Sequence, residues 1–151
     1  MEDNVTRTGR PDRWISSIRM PFTAHGVPAQ RHRLTRELEE HALPTDTAHD
    51  ASLVLDELMT NALQHGAPLD DDSLEVCWGT WGDQVHLEVT DGGAPTVPVA
   101  SSAPPSAIRG RGLGIVAALT TSWGVRAEPD TTTVWARLPS ARHQPWPDQR
   151  S

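Results

Sequence analysis

The sequence predicts an α/β (α+β) two-layer sandwich, with a mixed, mostly antiparallel sheet and helices on one face. The order of its elements carries this. Strand, helix, helix, strand, strand, loop, helix, strand, strand is a run of hairpins with helices gathered to one side. It is not the alternation of single strands and helices that builds a doubly wound parallel sheet. Length agrees, since 151 residues make one domain with a real core. Domain limits are expected at 14–139, with a disordered lead-in over 1–13 and a loose tail over 140–151.

Each element has a local reason. Met1 to Arg13 is polar and aperiodic. Trp14 to Phe22 alternates, with Ile18, Met20 and Phe22 on one face, and reads as a first strand. Pro28 suits the first turn of a helix, which runs to about Leu43 on Leu34, Leu38 and Ala42 and stops at Pro44. Thr45 or Asp46 can cap the next helix, and Gly66 ends it. Asp70-Asp71-Asp72 reads as a solvated acidic turn. Ser73 to Thr80 and Gln84 to Thr90 read as strands, with a hairpin at Trp81-Gly82-Asp83. The stretch from Ala94 to Ile108 is rich in Pro, Ala and Ser, so a lid or disordered insert is expected over 94–109. A Gly-rich run then opens an apolar helix through Ile115, Val116, Ala118 and Leu119. Trp123 to Ala127 and Thr131 to Leu138 close the domain as a hairpin.

Composition narrows the function. With 13 basic against 20 acidic residues the net charge is −7, which disfavours nucleic acid as a direct partner. No apolar run is long enough to cross a bilayer, and the N-terminal stretch has no apolar segment of a secretory signal. One cysteine, Cys77, excludes an internal disulfide and a cysteine metal cluster. It is expected as a small core residue, and a reducing cytoplasm as the location. Three of the six tryptophans, Trp78, Trp123 and Trp135, are expected at or beside the core.

The most informative residues are Glu57, Asn61 and His65, spaced i, i+4, i+8 on the second helix. With Val54 at zero and about 100° per residue, Ala51, Leu55, Leu58 and Ala62 fall between roughly +40° and +100°. On the same wheel Asn61 lies near −20°, His65 near +20° and Glu57 near −60°, all roughly. A carboxylate, a carboxamide and an imidazole therefore line the edge of the buried stripe, where polar groups need partners. A carboxamide oxygen is a hard neutral ligand suited to Mg²⁺ on a nucleotide. A carboxylate one turn earlier can take a proton from an attacking hydroxyl. Ordinary hydrogen bonds to a neighbouring loop would satisfy the same pair.

Asp91-Gly92-Gly93 follows the strand ending at Thr90. An ionised Asp accepts only, which suits an exocyclic amine, and Gly93 lets a flat ring approach the backbone. A common turn would use the same residues. Gly110, Gly112 and Gly114 at a helix start expose N–H groups to an anion, and Arg109 and Arg111 can meet phosphate oxygens. A lid hinge with solvated arginines is the plain alternative.

In this order the motifs resemble the GHKL ATPases, with the Bergerat nucleotide-binding fold. Within them the chain is similar to the small bacterial anti-sigma factor serine kinases, the SpoIIAB/RsbW-like group. Glu57-Leu58-Met59-Thr60-Asn61-Ala62-Leu63-Gln64-His65-Gly66 resembles the group's N box. Val89-Thr90-Asp91-Gly92-Gly93 resembles its G1 box, Arg111-Gly112-Leu113-Gly114-Ile115-Val116 its G2 box, and Thr133-Val134-Trp135 its closing strand. The likeness spans roughly Met20 to Leu138.

That resemblance implies ATP and Mg²⁺ as cofactors, with Asn61 holding the metal and Glu57 as catalytic base. It implies Asp91 on adenine N6, Gly93 against the base and Thr133 nearby through water. Gly110, Gly112 and Gly114, with Arg109, Arg111 and Leu113, would cradle phosphates under the lid 94–109. Partners implied are a sigma factor and a STAS-type anti-anti-sigma antagonist, with a homodimer formed through the first strand and helix. His65 is expected as a structural residue at the pocket floor. The pattern departs from the family at Pro95, where a glycine is usual. It departs again before Thr133, where Thr131 and Thr132 replace Gly-Lys. The activity expected is a protein serine/threonine kinase. A non-catalytic, ATP-dependent partner switch is the alternative, and a histidine kinase catalytic domain fits less well.

Overall fold

Alternation of apolar and polar residues dictates the sheet. The computed structural model describes residues 6–10, 13–93 and 111–140, the backbone alone for 6–10 and 111–113. Six strands form one sheet: β1 (Thr6–Arg10), β2 (Arg13–Pro21), β3 (Ser73–Trp81), β4 (Gln84–Asp91), β5 (Ser122–Ala127) and β6 (Thr132–Pro139). Their spatial order is β1-β2-β3-β4-β6-β5. All five pairings are antiparallel, so the described sheet is not mixed. Inward residues alternate without a break: Trp14, Ser16, Ile18 and Met20 on β2, then Val85, Leu87, Val89 and Asp91 on β4.

One strand departs from the sequence reading. The lead-in expected to be disordered contributes β1, which pairs with β2 from Thr6↔Ser17 to Arg10↔Arg13. Its composition carries no strand signal beyond Thr6 and Thr8. The open edge of β2 supplies the backbone partners instead.

The helices cover one face. A 3₁₀ turn (Ala24–Gly26) leads into α1 (Val27–Glu40), and α2 (Thr45–His65) follows. After the lid region comes α3 (Arg111–Leu119). Helix α1 ends before Leu43 because Ala42 turns left-handed at φ 66° and Leu43 N–H bonds back to Leu38 O at 3.0 Å. At the start of α2 neither Thr45 nor Asp46 caps. Pro44 occupies that position, and the hydroxyl of Thr47 donates to Ser140 O at 3.0 Å, tying α2 to the end of β6.

Leu34 and Leu38 of α1, Val54, Leu55, Leu58 and Met59 of α2, and Leu74, Val76, Leu87 and Val89 of the sheet form the core. A buried carboxylate crosses it. Glu37 of α1, 1% exposed, accepts hydrogen bonds from Ser16 Oγ at 2.7 Å and Trp78 Nε1 at 3.0 Å. A helix is thus fastened to two strands by one side chain. Cys77 is not in this core. It lies half-buried on the other face of the sheet, and burial pushes its thiol up to about 11.

Candidate functional site

The site is built where the C-terminal half of α2 meets the end of β4. Helix α2 packs on β4, β6 and α3. Its inward residues Val54, Leu55, Leu58, Met59 and Ala62 are buried, while Glu57 and Asn61 are half-buried at the border of that stripe. The helical wheel therefore placed both correctly. His65 is exposed, so it does not floor a pocket. It sits in the last turn of α2, one residue before the helix ends at Gly66.

Asp91 continues the inward alternation of β4 past Val89 and is 4% exposed. A buried carboxylate needs donors. One oxygen accepts Gly93 N–H at 2.7 Å, and the backbone of Ala67 supplies a second hydrogen bond. Desolvation outweighs these, so the carboxyl titrates above its ordinary value. Gly93 turns left-handed at φ 87°, which a side chain would resist.

Two further glycines matter by what they lack. A Cβ on Gly66 would overlap Asp91 Oδ2, and one on Gly92 would overlap the carbonyl oxygen of Pro68. Gly92 N–H also bonds to Ala67 O at 2.7 Å. The exit of α2 and the Asp-Gly-Gly turn thus form one clasp around the carboxylate. The sequence marked Gly66 as a helix stop. Its φ of −99° shows that close approach, not left-handed freedom, requires it.

The closing strand holds a correction. Thr133 pairs across from Thr90, and their hydroxyls share a 2.7 Å hydrogen bond on the face away from the helices. Thr132 is the residue opposite Asp91 and shares its face. Strand side chains alternate, so one position decides the side. The inward residues Ala136 and Leu138, read back in steps of two through Val134, lead to Thr132; this was the available signal.

Helix α3 begins at Arg111, so Gly112 and Gly114 lie in its opening turns, and a Cβ on Gly114 would meet nothing. Gly110, Arg109 and the lid 94–109 fall outside the described residues, as do the side chains of Arg111 and Leu113. All 13 basic residues of the chain are arginine. A permanently charged side chain on a phosphate must then be a guanidinium.

The sequence model of the histidine kinase-like ATPase domain matches residues 20–138. The chain belongs to that family. It is accordingly a GHKL-type, ATP-binding domain, and the α+β architecture is the family's own. Among curated proteins no sequence matches it. The geometry fits an adenine nucleotide. A buried acceptor stands at the end of β4 beside a left-handed glycine, and α2, the helix that carries Glu57 and Asn61, packs against the same sheet. No helix among the described residues is long and apolar enough to cross a membrane.

Proposed function

We propose that this ATPase domain is a protein serine/threonine kinase that phosphorylates an anti-anti-sigma antagonist and holds a sigma factor in the alternative state. The observation that carries it is the half-buried pair Glu57 and Asn61, one turn apart on the α2 edge. In this reading Asp91 accepts the adenine amine and Thr132, rather than Thr133, stands beside it. Asn61 would offer its carboxamide oxygen to Mg²⁺, which when bound neutralises charge on the phosphates. Glu57 would accept the proton of the attacking seryl hydroxyl. Backbone N–H groups at the start of α3 would orient phosphate oxygens.

The test is phosphoryl transfer from γ-labelled ATP to a panel of STAS-domain proteins. Glu57→Ala should retain ATP binding and lose transfer by about 10²- to 10⁴-fold. Transfer at the wild-type rate would refute Glu57 as base. Label on histidine of the chain itself would move it to the histidine kinases. One observation favours a second reading, a partner switch without transfer: the chain has no lysine to place at the phosphates. That reading requires ATP-dependent partner affinity with no phosphoprotein formed.

A further inference from the structure

The face of the sheet opposite the helices carries a groove of about 660 Å³, in the size range of ligand and peptide clefts. It is separate from the nucleotide site, because its β4 residues Gln84, His86 and Glu88 alternate with the inward Val85, Leu87 and Val89. Gly79 lies in its lining. Trp135 lies over Gly124, whose Cβ would come within 2.8 Å of the indole. Trp81 is 56% exposed and Ile15 38% exposed, a large apolar area to leave in water.

Each cation here has a neighbour. Arg13 stacks on Trp81 with its guanidinium carbon 3.9 Å from the ring centroid, and Arg137 lies 5.2 Å over Trp135. Arg126 approaches Glu88 at 3.5 Å, and the same carboxylate is held by His86 at 2.7 Å. Two arginines, Arg126 and Arg137, line the groove against one carboxylate, Glu88, and Arg13 on Trp81 lies beside it, a local excess of positive charge on a chain whose net charge is −7. Arg137 donates its Nε–H to His86 Nδ1 at 3.4 Å, and stacking on Trp135 leaves the terminal guanidinium N–H groups to meet carboxylates. A second copy docked through a two-fold axis would set the same arginine-rich patch against itself.

We infer that this groove is a docking site for a protein partner that presents an acidic segment bearing an apolar side chain. Carboxylates would take Arg126 and Arg137, and the apolar side chain would lie between Trp81 and Trp135.

The full chain is titrated with three blocked dodecapeptides, alternating Leu with Glu, Gln or Lys, by calorimetry and Trp fluorescence. The Glu peptide should bind, weaken with added salt, and lose about tenfold in affinity in Arg126→Ser/Arg137→Ser. Trp81→Ala, at an exposed position, should weaken it independently. Equal affinity for the Glu and Lys peptides, no binding of the Glu peptide, or unchanged affinity in the arginine variant overturns the proposal. So does sedimentation showing a dimer that Trp81→Ala dissociates, because a second copy then occupies the face.

Discussion

Replacing Gly66 by alanine tests whether the clasp sets the nucleotide site. A Cβ at that position would stand 2.5 Å from Asp91 Cγ and 2.9 Å from Ala62 O. The Ala62 oxygen is the acceptor that closes the helix, bonded to Gly66 N–H at 2.8 Å, so it cannot retreat without unwinding the last turn. Asp91 must move instead, by about 1 Å, to reach ordinary contact. That shift breaks its 2.7 Å bond from Gly93 N–H and misaims the acceptor. Misplacement on this scale costs about 10²-fold at a positioned group, and overpacking costs about 1–3 kcal/mol of stability. Gly66→Ala should therefore bind a fluorescent ATP analogue roughly 10- to 100-fold more weakly, about 1.4–2.8 kcal/mol. In an Asp91→Ala background the same substitution should cost far less. Gly66→Asn should not rescue, since the backbone is not left-handed there. Wild-type affinity in Gly66→Ala, or rescue by Asn, would refute the clasp.

Asp91 titrates above its ordinary value through burial, so acid should remove its acceptor form first. ATP affinity should fall as pH drops through that raised value, and Asp91→Asn should weaken binding and flatten the profile. The sign for stability is opposite. The folded state holds the proton more tightly, so this group's penalty grows as pH rises from the unfolded to the folded value and is relieved on acidification. Denaturant titrations at several pH values would read it. Thr132→Val should weaken nucleotide binding, whereas Thr133→Val should cost about 1 kcal/mol of stability for its bond to Thr90 and leave binding unchanged. Equal effects in calorimetry would reverse the assignment of faces. Glu37→Ala strands the Ser16 hydroxyl and the Trp78 indole N–H, both buried, and should cost about 2–4 kcal/mol in urea unfolding. A loss under about 0.5 kcal/mol would show that the link is idle.

Much of the architecture was legible because two periodicities announce it. Strand β4 alternates cleanly and β2 in burial, and α2 carries an unbroken 3.6-residue stripe with Glu57 and Asn61 at its border. Of what was missed, part depended on neighbours distant in sequence and part was local. β1 exists because β2 has an edge to fill. Thr132 and Thr133 were separable within β6, by steps of two from Leu138 and Ala136, and the register with β4 agrees. Cys77 is small and apolar enough for either face, and its alternation with the inward Val76 and Trp78 decides against the core. The need for Gly66 is visible only once Asp91, 25 residues on, is placed against it. Glu37 carries no signal of its own in the sequence, because its partners Ser16 and Trp78 lie on two strands distant from it.

Because the carboxylate of Asp91 is held by the exit of α2 as well as by its own strand, a nucleotide bound to Asp91 would be coupled to the seating of that helix end. A ligand that requires the seated form raises its population by mass action. Amide exchange should then slow at Gly92 and Gly93 and around Gly66 together, in proportion to ATP concentration. The helix end would then report occupancy of the site by an adenine nucleotide.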